Sequence, residues 1–180
     1  MTVLHLVSGL LGAFAWTFVE YVMHRFNGHE LKGKTRFSRE HLAHHADPGS
    51  FTSWPTKIRL ALPLASLLTI AAIVVAGPLH GALFSGSLLG AYLGYEWLHE
   101  RAHTHAPSGP YGRWARLHHF SHHFSNPTTN HGVTTPIWDI VFRTYVPTAT
   151  LTVPQRFAMQ WLVDERGGVQ KKYGQDYRLR

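Results

Sequence analysis

The chain alternates long uncharged stretches with polar ones. Met1 to Val19 contains no Lys, Arg, Asp or Glu, and its mixture of small and bulky apolar residues reads as a helix. A second uncharged block runs from Leu60 to Tyr95. Gly77-Pro78 divides that block, because a Gly-Pro step breaks a helix. It therefore predicts two helices, Ile58 to Ala76 and Leu79 to Leu98. Each apolar helix comes close to the roughly 20 residues that cross a bilayer core at about 1.5 Å per residue. Buried core helices of a soluble protein would look similar. That reading is the weaker one, because a soluble chain of this size would rarely combine three uncharged helices with so polar a remainder. The expected fold is all-α, one integral membrane domain over residues 1–180 with about three membrane helices and a helical cap.

Between these runs the signals are local. Gly28 and Gly33 predict that the first helix stops soon after His24. FSREHLAHH reads as a short helix with Ser38 at its N-cap, ending before Asp47-Pro48-Gly49. HAPSGPYG is a turn-rich break, RWARLHHFSHHF another helix, and SNPTTNHGVTTP a loop. IWDIVFRTYV suits a short helix or a strand, and the tail from Val146 shows no readable pattern.

The net charge of +7 and a pI near 10 would suit either nucleic acid or an anionic membrane surface. Position decides between them. Arg25, Lys32, Lys34, Arg36, Arg39, Lys57 and Arg59 lie between the first apolar run and the second, and most other basic residues follow Leu98. By the positive-inside rule, both polar segments are cytoplasmic and the short N-terminus is outside. Topology and anionic lipid therefore explain the charge, and nucleic acid is not expected as a partner. The chain has no cysteine, which removes disulfides and thiolate metal sites.

Fifteen histidines outnumber the ten acidic residues, and ten of them fall in four clusters. HRFNGH places His24 and His29 at HX4H spacing, and HLAHH places His41, His44 and His45 at HX2HH. HERAH places His99 and His103 at HX3H, and HFSHH places His119, His122 and His123 again at HX2HH. Residues at i, i+3 and i+4 share a helix face, so each HX2HH aims its rings in one direction, and so does the i, i+4 pair. His24 and His29 stand roughly 140° apart on a continuous α-helix. They converge only if the helix ends between them, and Asn27-Gly28 offers the break. One metal ion takes three to six ligands, so ten imidazoles imply two metals, with Zn, Fe, Cu and Ni all compatible. His24 and His99 each follow a membrane helix, which places the site at the membrane–water boundary.

EYVMHRFNGH, HLAHH, YEWLHERAH, LHHFSHH and NHGVTTPIWDIVFRTY resemble, in order and spacing, the fatty acid hydroxylase / sterol desaturase superfamily. The resemblance runs from about Glu20 to Tyr145 and is most like its fatty acid 2-hydroxylase branch. It implies a membrane enzyme with two histidine-held metal ions, expected to be iron (zinc is compatible), that activates O2 to attack an unactivated C–H bond of a lipid. The metal ligands it implies are His24, His29, His41, His44, His45, His99, His103, His119, His122 and His123. The chain departs from the family pattern in places. Thr104 stands where a second histidine often follows HX3H, His131 where an aromatic residue is common, and Arg143 where glycine is usual. No HPGG-type haem motif is present, so a separate ferredoxin or cytochrome is the expected electron donor.

Glu96 and Asp139 are candidates for acceptors that orient imidazole N–H groups, together with Glu20 and Glu100. Glu96 is three residues before His99, and Glu20 four before His24. Sterol or carotenoid hydroxylation and lipid desaturation remain alternatives within the same superfamily. HERAH also fits the HExxH pattern of a zinc peptidase with Glu100 as general base, but that reading leaves eight clustered histidines without a role. A non-catalytic metal-binding membrane protein is the other rival. Transport would put ionisable residues inside the apolar runs, where only His5 and His80 are found.

Overall fold

The structure is a computed structural model, and it describes residues 2–180; Met1, the first residue of the N-terminal apolar run, lies outside them. It is mostly helical and divides into two compact units, residues 1–20 with 52–96 and residues 21–51 with 97–180.

The first unit is apolar. It contains most of helix α1 (Val3–Val22) and most of the long element α3 (Trp54–Thr104). At Gly77 the backbone of α3 leaves helical geometry, with φ 80° and ψ 167°. Glycine has no Cβ to forbid that region, and Pro78 then starts the second arm without needing a donor. The arms fold back on each other. Lys57 Nζ reaches Glu96 Oε2 at 2.6 Å, whereas an unbroken helix would separate residues 39 apart by roughly 58 Å. Close to the turn, a Cβ on Gly81 would lie 2.7 Å from Ile73 Cα, so glycine permits the tight return.

Helix α1 runs alongside the second arm in the same direction: His5 meets His80, Gly12 meets Phe84, and Trp16 meets Tyr92 and Tyr95. A Cβ on Gly12 would overlap the Phe84 carbonyl, so this approach also requires glycine. The outward faces carry unburied Leu10, Phe14, Leu62, Ile70, Val74 and Val75, the last 86 % exposed. Two helices, over 3–30 and 54–104, are long and apolar enough to cross a membrane.

The second unit holds the polar segments. Helix α2 (Arg36–Ala46) is capped by Thr35, whose Oγ1 accepts from the Ser38 amide at 3.0 Å. Ser38, expected at the cap, is instead inside the first turn. Its hydroxyl donates to the Gly28 carbonyl and accepts from the Gly33 amide, tying α2 to the end of the first helix. Helix α4 (Gly109–Phe124) follows the turn-rich break. Arg116 on α4 donates to the carbonyls of Arg101, His105 and Ala106 at and just beyond the end of α3, and to Gly112 on its own helix, which ties the two helices together. IWDIVFRTYV begins as the short helix α5 (Ile137–Val141).

The tail corrects the all-α expectation. Strand β1 (Leu151–Val153) pairs in parallel with β2 (Tyr177–Leu179), Leu151 opposite Tyr177. Pro147 and Pro154 bracket β1 and disfavour a helix there, and its residues alternate buried, exposed, buried. Leu151, Val153, Leu162 and Tyr177 pack with Leu117 and Phe120 of α4, so the tail buttresses the helix that carries the fourth histidine cluster.

Candidate metal centre

All ten clustered histidines lie in the second unit, where they form two sets of five. His24, His29, His41, His45 and His122 make the first; His44, His99, His103, His119 and His123 make the second. Within each set one ring nitrogen per residue lies within 4.8 Å of all the others.

The first pair converges in a way the sequence did not suggest. The chain neither breaks nor turns between His24 and His29. Met23–Glu30 forms a π-helix instead, continuous with α1. Its i→i+5 hydrogen bonds widen the turn, so residues five apart come round to one face. The two ring centroids are 5.4 Å apart. Gly28 is needed here: a Cβ would sit 2.9 Å from the His41 ring.

Each HX2HH cluster is divided between the sets. On α2, His41 and His45 serve the first set while His44 faces the second. On α4, His119 and His123 serve the second while His122 faces the first. The clusters therefore do not aim all their rings one way. The outcome is a swapped pattern: each set takes one helical pair from HX4H or HX3H, the i, i+4 pair of one HX2HH, and the i+3 histidine of the other. His45 and His123, one from each set, stack with centroids 4.1 Å apart and planes inclined by 11°.

The nitrogens are poised as donors to a cation. His122 Nδ1 donates to Thr129 O at 2.7 Å and His44 Nδ1 to Ser50 O at 2.8 Å, while His24 Nδ1 donates to His131 O. Each such bond fixes the tautomer and leaves the Nε2 lone pair free to coordinate. His122 Nε2 then faces His29 Nε2 at 2.9 Å and His45 Nε2 at 3.1 Å, and His29 Nε2 faces His41 Nε2 at 2.8 Å. In the second set His103 Nε2 and His119 Nε2 are 3.0 Å apart. His24 Nε2 and both nitrogens of His123 are buried with no hydrogen-bond partner among the described residues. Lone pairs crowded together and buried atoms without partners are costly, by about 1–3 kcal/mol for each unmet group. A cation at the centre of each set removes that cost, so each set can hold a metal ion.

Burial, and then the neighbouring imidazoles, hold His41, His119, His122 and His123 well below the usual histidine pKa; His45 is lowered to about 3 for the same reasons. These rings are neutral at pH 7, as metal binding requires.

Among the described residues, Asp139 forms no hydrogen bond with any of the ten rings. It is fully buried and accepts from the amides of His131 and Gly132 at 2.8 Å, from Thr144 Oγ1 at 2.7 Å and from His118 Nε2 at 3.3 Å. Burial alone would raise its pKa, but these donors outweigh burial and lower it. The carboxylate fixes the loop whose His131 carbonyl orients His24. Glu96 is engaged by Lys57 within the apolar unit, and Glu100 is exposed, its backbone carbonyl bonded to Thr104. An exposed Glu100 beside a five-histidine set is unlike a zinc peptidase, where two histidines of the motif hold the metal and a buried glutamate acts as general base. Arg116, His118 and the carbonyls of Ser50, Thr129 and His131 carry no sequence signal of their own, because their roles depend on tertiary placement.

A family model described as fatty acid hydroxylase matches residues 9–144. The fatty acid 2-hydroxylase of Mus musculus is 34% identical over 149 residues, 77% of this chain and 39% of that protein. The dihydroceramide fatty acyl 2-hydroxylase FAH1 of Arabidopsis thaliana is 34% identical over 144 residues, 75% of this chain and 59% of that one. The ceramide very long chain fatty acid hydroxylase SCS7 of Saccharomyces cerevisiae is 32% identical over 158 residues, 79% and 39% of the two. The chain thus spans between 39% and 59% of the length of these relatives. A solved structure of full-length scs7p, in which the hydroxylase domain is visible, superposes with a TM-score of 0.61 and 26% identity, over 79% of this chain and 57% of that one.

Proposed function

Because this chain belongs to the fatty acid hydroxylase family, we propose that it is a membrane-bound hydroxylase that replaces a C–H bond of a fatty acyl chain with C–OH, at carbon 2 by preference. The balance is lipid-CH + O2 + two electrons + two protons giving lipid-C–OH + water. The observation that carries this reading is the pair of five-histidine sets. The names of the relatives favour carbon 2 over sterol or carotenoid hydroxylation and over desaturation.

In this reading His24, His29, His41, His45 and His122 hold one metal and His44, His99, His103, His119 and His123 the other. The metals, taken to be iron, supply the binding and reduction of O2 when present; zinc suits the same nitrogens in purified protein. The protein's own contribution is orientation. Carbonyls of Ser50, Thr129 and His131 fix three tautomers, and Asp139 holds the loop that provides the last of these. Glu96, paired with Lys57, sets the register of the apolar hairpin.

The unburied apolar faces support a bilayer position, with three passes and the metal centre on the cytoplasmic side by the positive-inside rule. Both units then form one integral domain, with the acyl tail in the bilayer and its reacting carbon held near the metals. Electrons come from a separate ferredoxin- or cytochrome-type donor.

The test is lipid profiling by mass spectrometry of cells with and without the gene. Hydroxylated acyl chains should appear with the wild-type protein and with Glu100→Gln, and vanish with His119→Ala. A hydroxy product that survived His119→Ala would overturn the assignment. Retention of the product in Glu100→Gln would eliminate Glu100 as an essential general base, and its loss would assign Glu100 a role that this reading does not give it.

A further inference from the structure

Helix α5 carries its polarity inside out. On the 3.6-residue period Ile137, Ile140 and Val141 share one face, and Asp139 points roughly 150° away from it. On a helix lying against a protein core in water, the carboxylate would face solvent and the aliphatic residues would face inward. Here Asp139 is 0 % exposed, whereas Ile137, Ile140 and Val141 are 42 %, 57 % and 58 % exposed. The bonds that Asp139 accepts from His131, Gly132 and Thr144 fix this orientation, so the apolar face cannot roll inward. Exposed apolar surface continues past the helix through Phe142, Tyr145 and Val146.

The patch is local. Among the described residues of the second unit ten large hydrophobic side chains are exposed, and these six of them fall within ten consecutive positions. None of the ten lies in residues 147–180. Exposed apolar surface concentrated in this way marks a partner or a membrane.

Two features identify the membrane. Phe142 stacks on Tyr21, with centroids 5.2 Å apart and planes inclined by 12°, and Tyr21 belongs to the last turn of α1. The segment therefore lies against the end of a helix long and apolar enough to cross a bilayer, whose Leu10, Phe14 and Phe18 are exposed in the same way. The residue types also suit the membrane–water boundary. Trp138 and Tyr145 bring amphipathic rings, and exposed Arg143 can lay its aliphatic stem along apolar surface while its guanidinium reaches lipid phosphate. The polar rim that a protein-binding patch carries is reduced to that one arginine over residues 137–146.

We propose that residues 137–146 insert as an interfacial element into the bilayer leaflet where α1 ends. The inference rests on the bilayer placement of α1 given above. It also gives the first histidine set a membrane reference. Asp139 holds the loop whose His131 carbonyl orients His24, and Asp139 rides on the inserted helix.

The chain has no cysteine, so single labels can be placed without background. Nitroxides are attached at Ile140→Cys, Val141→Cys, Leu10→Cys and Glu165→Cys of the whole chain in phosphatidylcholine/phosphatidylglycerol vesicles. Power-saturation EPR then compares collisions with oxygen, which concentrates in lipid, and with a water-soluble nickel chelate. Glu165 is an exposed residue of the tail and serves as the aqueous reference. Labels at 140 and 141 should behave like the one at 10, with oxygen access several-fold above and nickel access several-fold below the values at 165. Nickel access equal to that at 165 would overturn the insertion. So would low access to both reagents, or spin–spin broadening that dilution with unlabelled chains removes, since either marks a face covered by protein. High nickel access at 10 as well would overturn the bilayer placement of α1 itself.

Discussion

Replacing Asp139 with alanine removes one acceptor that four buried donors share. Two are backbone amides, His131 and Gly132, both at 2.8 Å; the others are Thr144 Oγ1 at 2.7 Å and His118 Nε2 at 3.3 Å. A hydrogen bond to a charged group contributes about 1.5–3 kcal/mol, so the simple sum approaches ~10 kcal/mol. Bonds that share one group are not additive, and water entering the new cavity recovers part of the loss. The expected destabilisation is therefore about 3–6 kcal/mol, or roughly 10–20 °C in Tm for a chain of this size. Asp139→Asn keeps one oxygen for His131 and Thr144 but turns an NH2 toward Gly132, so it should lose about half as much.

The metal effect should be local. His131 O orients His24, so the alanine variant should shed the metal of the first set before that of the second. Thermal unfolding in detergent and metal analysis read both quantities. The sign of the pH dependence is also set. A carboxyl whose folded pKa is lowered contributes stability above its unfolded value near 3.8, and loses it as pH falls through the folded value. The gap between wild type and variant should thus be flat from about pH 5 to pH 8. An alanine variant that melted within ~3 °C of wild type and kept both metals would refute the role assigned to this carboxylate.

Three further outcomes follow from the same contacts. Lys57→Met should cost about 3–5 kcal/mol in detergent melts, because it strands Glu96 in a pair whose side chains are each 10% exposed, while the Lys57→Met/Glu96→Met double variant should recover much of it. Although His41 and His44 are only three residues apart, they serve different sets, so His41→Ala and His44→Ala should each lower the metal content by about one ion and the double variant by about two, as read by metal analysis. Metal-stripped protein should lose stability on acidification. His41, His45, His119, His122 and His123 have folded pKa values below the unfolded 6.5, so the unfolded chain binds more protons below that pH. Each adds about 1.4 kcal/mol per pH unit to the loss, and a melting midpoint unchanged between pH 7 and 5 would contradict this.

What could be read from the sequence was whatever short-range chemistry enforces. Gly77-Pro78 broke the apolar block where expected, since no other residue pair combines free φ with a missing donor. The spacing of ten histidines picked out the residues that gather in the two sets, because ligand residues must recur with the helical period, but it did not show how each HX2HH divides between them. The misses were of another kind. MHRFNGHE carries nothing that separates a π-helix from a helix end, for both bring positions 24 and 29 together. Ser38 and Thr35 are equally good caps in isolation, and the choice fell to Thr35 because Ser38 is held by Gly28 and Gly33 from the preceding segment. Strands of three residues in parallel, 23 residues apart from end to start, offer too little periodicity to recognise. Asp139 was read as an acceptor that orients ligand imidazoles, but its partners are the His131 and Gly132 amides, Thr144 and His118, which only folding brings to it.

The division of each HX2HH between two sets explains why that spacing occurs twice beside HX4H and HX3H. Counting from the first histidine, i+4 lies about 40° to one side and i+3 about 60° to the other. An i, i+3, i+4 triplet therefore lets a single helix feed two centres, giving two rings to one and the third to the other. HX3H, lacking the i+3 residue, feeds one, and HX4H matches it by widening to a π-helix. Two shared helices, α2 and α4, then span both centres, so their separation is set by rigid backbone and not by a loop. The stacked His45 and His123 form the wall between them. Any shift of α2 or α4 displaces rings of both sets together, so an ion held in either set would also steady the helices that carry the other.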